Sequence, residues 1–508
     1  MPDLIKISYP LLLFIEMSFL AALALNLNGL REELREVSRG QFLTLALIVA
    51  AGALLRFFWV PYAHYVFYDE YEHIAVARNM LESGLFSRCD FYLDGKCLSS
   101  WQPQWLPGYH FLLSQFFSLS GVSERAAFIF NSLFSSLSLP AVFLLTYFCF
   151  RDAAAALIAA ALTAFLPLHL KFAGGASTET LSLFFLLVTA ASWFFYARRR
   201  TGRALFLALA AAAFALLARA ENGLLLALFP LFLVLFAGRG ERLKPLLFLP
   251  AAALPYLLYL PGIRAFMLGG WLAAHESAPA AQFLWPSLKY WISGISVPVL
   301  VTAAAALSFF TLFRKNRREL AFFGAWFLLF IAAYACVEKL DISFEDSQRF
   351  NLALITPAVV LAAAALSGLF RAWRPALSLE SAARALLLAA LLANYIGGLD
   401  FVKSAITQPG FYGDRAALLA ESRGAADPVY VSYAPSFPIA VLGAPSVNIS
   451  FLSDKEAFDK FLKGRNLVLV DDHWCRKDPR GLCAAAKERF HVPGPAPGAP
   501  ATLLHAMK

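Results

Sequence analysis

The chain has 508 residues, of which 60% are hydrophobic and 15% charged, and its mean hydropathy is +0.63. These values exclude an ordinary soluble globular protein, because apolar runs long enough to cross about 30 Å of hydrocarbon recur along the sequence. The formal net charge of +9 does not call for nucleic acid. Its basic residues gather in Arg198-Arg199-Arg200 with Arg203, in Arg239, Arg242 and Lys244, and in Arg314-Lys315 with Arg317-Arg318. These are short connections between apolar runs, where the positive-inside rule places cytoplasmic charge.

The first apolar run, Tyr9 to Leu27, is interrupted by Glu16 and follows a barely basic segment, so it reads as an anchor rather than a cleaved signal. After a mixed-charge connector from Arg31 to Arg39, a second span covers Gln41 to Val60. A long loop then runs from Pro61 to about Glu124. Further spans are predicted over Arg125–Phe150, Ala153–Leu170, Thr178–Ala197, Arg203–Leu217, Gly223–Phe236 and Pro245–Leu260. Four more follow over Val297–Phe313, Leu320–Val337, Leu352–Phe370 and Ala382–Ile396, giving about 12 transmembrane helices. Alternation from the basic connectors puts four segments on the far side of the membrane. These are the loop 61–124, the stretch Pro261 to Gly294 with its aromatics Trp271, Trp285, Tyr290 and Trp291, the segment Glu338 to Arg349, and everything from Asp400.

The last segment changes character. Short runs such as Val429-Tyr430-Val431 and Leu467-Val468-Leu469-Val470 alternate with helix-like pieces, a pattern of strands in a small α/β domain. The expected organisation is therefore a polytopic α-helical membrane module over 1–399 and a small C-terminal α/β extracytoplasmic domain over 400–508. Cys89 and Cys97 in the outer loop, and Cys475 and Cys483 in the terminal domain, each enclose a short polar segment on the side assigned as oxidising. Two local disulfides are predicted in preference to a zinc site, which would need closer ligand spacing.

The residues richest in chemistry are Tyr68-Asp69-Glu70-Tyr71-Glu72-His73, just past the second span. Ionisable groups at a membrane boundary are costly to hold and usually functional. Asp and Glu there also suit a plain helix N-terminus, whose dipole favours negative charge. Glu72 and His73 follow Asp69 at helical spacing and share its face. That set is compatible with a divalent ion, and the sequence names no other cofactor.

Asp69-Glu70 followed by Ala77-Arg78-Asn79-Met80-Leu81-Glu82 and Gly84 resembles the opening of the GT-C glycosyltransferases, in particular the protein mannosyltransferase and aminoarabinose transferase branch. The resemblance continues through Trp105-Leu106-Pro107-Gly108-Tyr109-His110, Gly121-Val122-Ser123-Glu124-Arg125, Ser177-Thr178-Glu179, Arg219-Ala220-Glu221-Asn222-Gly223 and Arg349-Phe350-Asn351. No Trp-Trp-Asp motif of oligosaccharyltransferases is present. The resemblance implies an inverting transfer of sugar from a polyprenyl phosphate to an acceptor hydroxyl on a protein, glycan or lipid. Asp69 is then the base, and Glu70 orients the acceptor or replaces Asp69.

An acceptor hydroxyl needs its proton removed during attack, and a departing lipid phosphate needs its charge met by a cation. Arg349 and Arg219, at the outer ends of spans, are the expected phosphate ligands, with Glu221 as a partner of Arg219. Lys171, Arg264 and Arg78 are weaker choices, because basic side chains also snorkel to head groups. His110 and His73 are expected near the acceptor, or as ordinary interfacial histidines. The expected setting is a bacterial inner membrane, with membrane lipids as neighbours and the site on the periplasmic side. The rival classes are a secondary transporter, which would place polar residues near the midplane of repeated halves, and a non-catalytic scaffold.

Overall fold

The structure is a computed structural model. It describes residues 2–66, 68–101, 105–266, 281–293, 297–335, 345–372, 398, 401–402, 409–422, 427–454, 456, 458–478, 481–490 and 503–507. The expected span 382–396 and Trp271 lie outside these residues, as does the side chain of Arg264.

Apolar sequence dictates the first layer. Helix α1 runs Pro2–Glu33 and α2 Arg39–Leu54, the latter opened by a Ser38/Gln41 capping box and extended by a π-helical turn over Leu55–Trp59. Helices α3 (Tyr68–Ser83) and α4 (Gly108–Ser120) lie within the expected outer loop and flank a hairpin. The bundle continues with α5 (Glu124–Phe150), α6 (Ala153–Phe165), α7 (Pro167–Ala173), α8 (Thr178–Arg199), α9 (Gly202–Ala218), α10 (Leu225–Phe236) and α11 (Leu243–Phe266). After α12 (Ala281–Ser293) come α13 (Val299–Thr311), α14 (Arg317–Ala335) and α15 (Asn351–Ala372). Among the described residues six helices are long and apolar enough to cross a membrane by themselves, or seven if the bent pair α6–α7 is one span. Several other expected spans, such as α10 and α13, are shorter apolar helices packed within the bundle.

The expected straight span over Ala153–Leu170 is broken, with a bend of 57° between α6 and α7. Pro167 stands at the first position of α7, and a residue before proline is pushed out of the helical region. The break strips carbonyls of their helical partners, and Arg56 answers them. Its guanidinium, fully buried, donates to the carbonyls of Thr163 (3.3 Å), Ala164 (2.9 Å) and Gly52 (2.8 Å) and to Ser135 Oγ (2.6 Å). A charge deep among apolar helices is tolerable only when its donors are filled in this way.

The ends of the bundle differ in chemistry. At one end Arg151 pairs with Glu33 (2.9 Å), Arg199 with Glu32 (2.7 Å) and Arg371 with Asp152 (2.7 Å). The starts of α3, α5, α8 and α15 lie at the other end, with Asp69, Glu124, Glu179 and Arg349.

A six-stranded sheet combines distant parts of the chain in the order β2-β1-β4-β3-β5-β6. Strands β1 (Arg88–Leu93) and β2 (Lys96–Trp101) form a hairpin in the outer loop. Its turn is Asp94-Gly95, both at positive φ, as a tight hairpin requires. Strands β3 (Val429–Ser432), β4 (Ser446–Asn448), β5 (Leu467–Val470) and β6 (Leu504–Met507) come from the C-terminal segment. β3 is parallel to β4 and β5, and β4 joins the hairpin antiparallel to β1. Helices α16 (Pro409–Glu421) and α17 (Ser436–Leu442) link this sheet to the bundle, α17 packing on α3. Cys89–Cys97 and Cys475–Cys483 are bonded as the sequence predicts.

Candidate active site

Asp69 is the second residue of α3, and its side chain remains 38% exposed. Its Oδ2 faces Nη2 and Nη1 of Arg349 at 3.3 and 3.4 Å. Partial burial pushes the Asp69 carboxyl above its ordinary pKa, and Arg349 pulls the other way. Arg349 occupies a 3₁₀ turn over Glu345–Phe350 immediately before α15. Arg219 lies in the extended break between α9 and the 3₁₀ turn Ala220–Leu224.

The two arginines, distant in sequence, converge on one carboxylate. Glu179 Oε1 is 3.3 Å from Arg349 Nε and also accepts from Arg219 Nη1. Arg219 further pairs with Glu221 through Nε and donates to Thr178 Oγ1 at 2.7 Å. The ring of Phe350 sits 5.2 Å from the Arg349 guanidinium and 5.3 Å from that of Arg219, so one aromatic ring steadies both cations. Glu179 was missed by the sequence reading of roles. Its signal was a carboxylate opening a span at the same end as Asp69.

Glu70 has a different task from the catalytic one expected of it. It is fully buried, and Oε1 accepts from the backbone N–H of Tyr65 (2.8 Å) and Val66 (2.9 Å). Oε2 accepts from Ala176 N–H (2.7 Å) and His64 Nδ1–H (3.0 Å). A carboxylate so fully engaged ties the loop before α3 to the turn before α8. His64 extends the tie by donating through Nε2 to Glu124 at 2.8 Å. Burial pulls the His64 pKa down, but its bonds to Glu124 and Glu70 outweigh that and raise it, favouring an imidazolium.

His73 and His110 form a pair rather than two separate interfacial residues. His110 Nδ1 lies 3.1 Å from the Leu106 carbonyl, which only accepts, so Nδ1 carries the proton. Burial lowers the His110 pKa to about 3, leaving Nε2 as an acceptor for His73 Nδ1–H at 3.0 Å. His73, also held well below its usual pKa by burial, is neutral and keeps its lone pair on Nε2. One helical turn separates it from Asp69.

The shared-face metal set does not assemble. Asp69 goes to Arg349, Glu72 to Arg88 (3.3 Å) and His73 to His110. Among the described residues no three His, Cys, Asp or Glu side chains group as metal ligands. Of the other sequence candidates, Arg78 pairs with Glu82 (2.6 Å), and Lys171 is buried beside the rings of Phe401 and Tyr65. Trp291 donates to Asn351 Oδ1 (2.7 Å), Tyr290 is buried, and Trp285 is exposed.

The description Dolichyl-phosphate-mannose-protein mannosyltransferase belongs to the family whose model matches residues 102–263. ArnT from Cupriavidus metallidurans in the apo state superposes with a TM-score of 0.57 and 16% identity, over 86% of this chain and 94% of that one. The same protein bound to undecaprenyl phosphate gives 0.56 and 15%, over 87% and 95%. At these identities the likeness shows a shared fold. The Archaeoglobus fulgidus oligosaccharyltransferase tethered with an acceptor peptide gives 0.54 at 15% identity over 81% of this chain, which spans 64% of that protein. No curated relative matches the sequence. The GT-C resemblance read from the short motifs is thus borne out at the level of the fold, and by the family model over residues 102–263.

Proposed function

We propose that the chain is an inverting glycosyltransferase that moves a sugar from a polyprenyl phosphate to an acceptor hydroxyl on the periplasmic face of a bacterial inner membrane. One observation carries this reading: Arg349 and Arg219 share Glu179 while Arg349 also holds Asp69. Cation and base for one transfer thereby meet at one end of the bundle. The comparisons support it through the fold and through a neighbour that binds undecaprenyl phosphate.

The Arg349–Asp69 distances of 3.3 and 3.4 Å are long for a charge-assisted bond, which runs about 2.7–2.9 Å. The donor phosphate is a diester whose single charge grows toward two as the sugar leaves, so it recruits Arg349 as that charge develops and releases Asp69. The acceptor oxygen then attacks the anomeric carbon opposite the phosphate. The new C–O bond forms as the bond to phosphate breaks, its electron pair leaves with the polyprenyl phosphate, and the acceptor proton passes to Asp69. His73, neutral with its lone pair on Nε2, orients a sugar or acceptor hydroxyl. No step is routed through a metal.

The test is Asp69→Asn in purified protein supplied with a labelled lipid-linked sugar. Turnover is expected to fall at least about 100-fold, the usual scale of a lost general base, with donor binding retained. Near-normal turnover rejects Asp69 as the base.

A further inference from the structure

A cavity of about 500 Å³ lies apart from the paired arginines, where the outer loop, the start of α5 and the C-terminal segment meet. Its polar lining is Arg78 from α3, Ser123, Glu124 and Arg125 at the head of α5, and Arg415 from α16. The last turn of α17 and the Gly443 that follows it close one wall. Three guanidinium groups thus face one carboxylate, and that carboxylate is already engaged. Glu124 accepts from His64 (2.8 Å) and from Arg415 Nε at 2.9 and 3.2 Å, with Arg415 Nη2 as a further donor.

Arg78 and Arg415 each have a carboxylate partner, and Arg125 leaves the lining with an excess positive charge. Arg78 uses Nε on Glu82 and Nη2 on the Tyr92 hydroxyl, both at 2.6 Å. Its Nη1 faces Gly443, where a side chain's first carbon would stand 3.4 Å away and where the φ of +65° favours glycine. Arg125 is exposed, and no ion pair among the described residues holds it.

Position supplies the ligand. Glu124 begins a 27-residue apolar span, so the cavity sits at the lipid–water boundary, at the end of the bundle away from the basic connectors. A lone arginine there would be a snorkelling side chain. Three from separate elements around one volume make a cage for an anion, and guanidinium forks match phosphate oxygens. We propose that this cavity binds the phosphate headgroup of an anionic lipid in the leaflet that α5 enters at Glu124. The site is separate from the donor phosphate, and its binding does not depend on the transfer reaction. Occupancy also has a route to Asp69. Arg415 holds Glu124, Glu124 holds His64, and His64 holds Glu70 beside the base.

The test titrates the purified full chain in neutral detergent with short-chain phosphatidic acid, using diacylglycerol of the same chain length and inorganic phosphate as controls. Phosphatidic acid is expected to bind, diacylglycerol not to, and inorganic phosphate far more weakly. Arg125→Gln, a change at an exposed position, is expected to weaken phosphatidic acid binding about tenfold, the scale of one charge-assisted contact. Arg349→Ala is expected to leave it intact. Unchanged affinity in both Arg125→Gln and Arg78→Gln overturns the proposal. Binding lost in Arg349→Ala but kept in Arg125→Gln assigns the lipid to the transfer site and also overturns it. Inorganic phosphate binding as tightly as the lipid overturns the lipid assignment.

Discussion

Glu72 shows what burial does to a carboxylate that the chemistry does not use. Burial raises its pKa to about 7, only partly offset by Arg88, and its Oε2 is buried with no hydrogen-bond partner among the described residues. A carboxyl whose folded pKa lies above its unfolded one binds more protons folded, so stability falls as pH rises from the unfolded value through the folded one. Glu72→Gln, which keeps shape and removes the charge, is therefore expected to raise the thermal midpoint at pH 8 and leave it nearly unchanged at pH 5. Thermal unfolding of both proteins in one detergent at the two pH values checks this; a lower midpoint at pH 8 would mean that the Arg88 pair outweighs burial. At this scale the sequence was legible where a charge stood at a boundary beside a recognisable motif, as with Asp69, Arg219 and Arg349. It was not legible for Arg56, whose purpose appears only when the carbonyls freed by a break on another helix come into view. Glu70 was given to the acceptor or the base instead of to its anchoring bonds, because the backbone N–H groups that claim it belong to two separate turns.

Elements position the site through close backbone approach. Gly108 opens α4, and a methyl group placed on it would stand 2.7 Å from the Leu217 carbonyl oxygen and 2.9 Å from its carbon. Those atoms belong to the last turn of α9, immediately before Arg219, so the contact sets how α4 with His110 meets the strand-like break that carries Arg219. Backbone cannot yield as a flexible side chain does. Gly108→Ala is expected to destabilise the protein by about 1–3 kcal/mol. It is also expected to reduce sugar transfer more than the stability loss explains, because both helices carry site residues. Thermal midpoint and initial transfer rate measured together test this, and an alanine variant with wild-type values for both would contradict the close approach. Hydropathy located most of these helices but read the broken one as a single span, although Pro167 stands at its break. It did not reveal which helices touch, since packing of this kind depends on a missing side chain rather than on a pattern.

At the scale of the whole molecule, the sheet joins what the sequence separates. The hairpin of the outer loop pairs through β1 with β4 of the C-terminal segment, a non-local match that strand-like runs alone do not disclose. Because one sheet holds both segments, they lie on the same side of the membrane, and the cysteines report which side. Cys89 and Cys97 brace the hairpin; Cys475 and Cys483 join the short helices His473–Lys477 and Leu482–Arg489, each pair 8 residues apart. Disulfides persist where the compartment is oxidising, so both bridges are expected in protein taken from its native membrane, as intact linked peptides in unreduced digests. Replacing one pair by serine is expected to cost about 2–4 kcal/mol without opening the sheet, whose ladder hydrogen bonds do not involve sulfur. Free thiols at all four positions would place the sheet, and Asp69 with it, in a reducing compartment. The donor headgroup would then have to be reached from the cytoplasmic face, against the basic connectors gathered at the opposite end of the bundle.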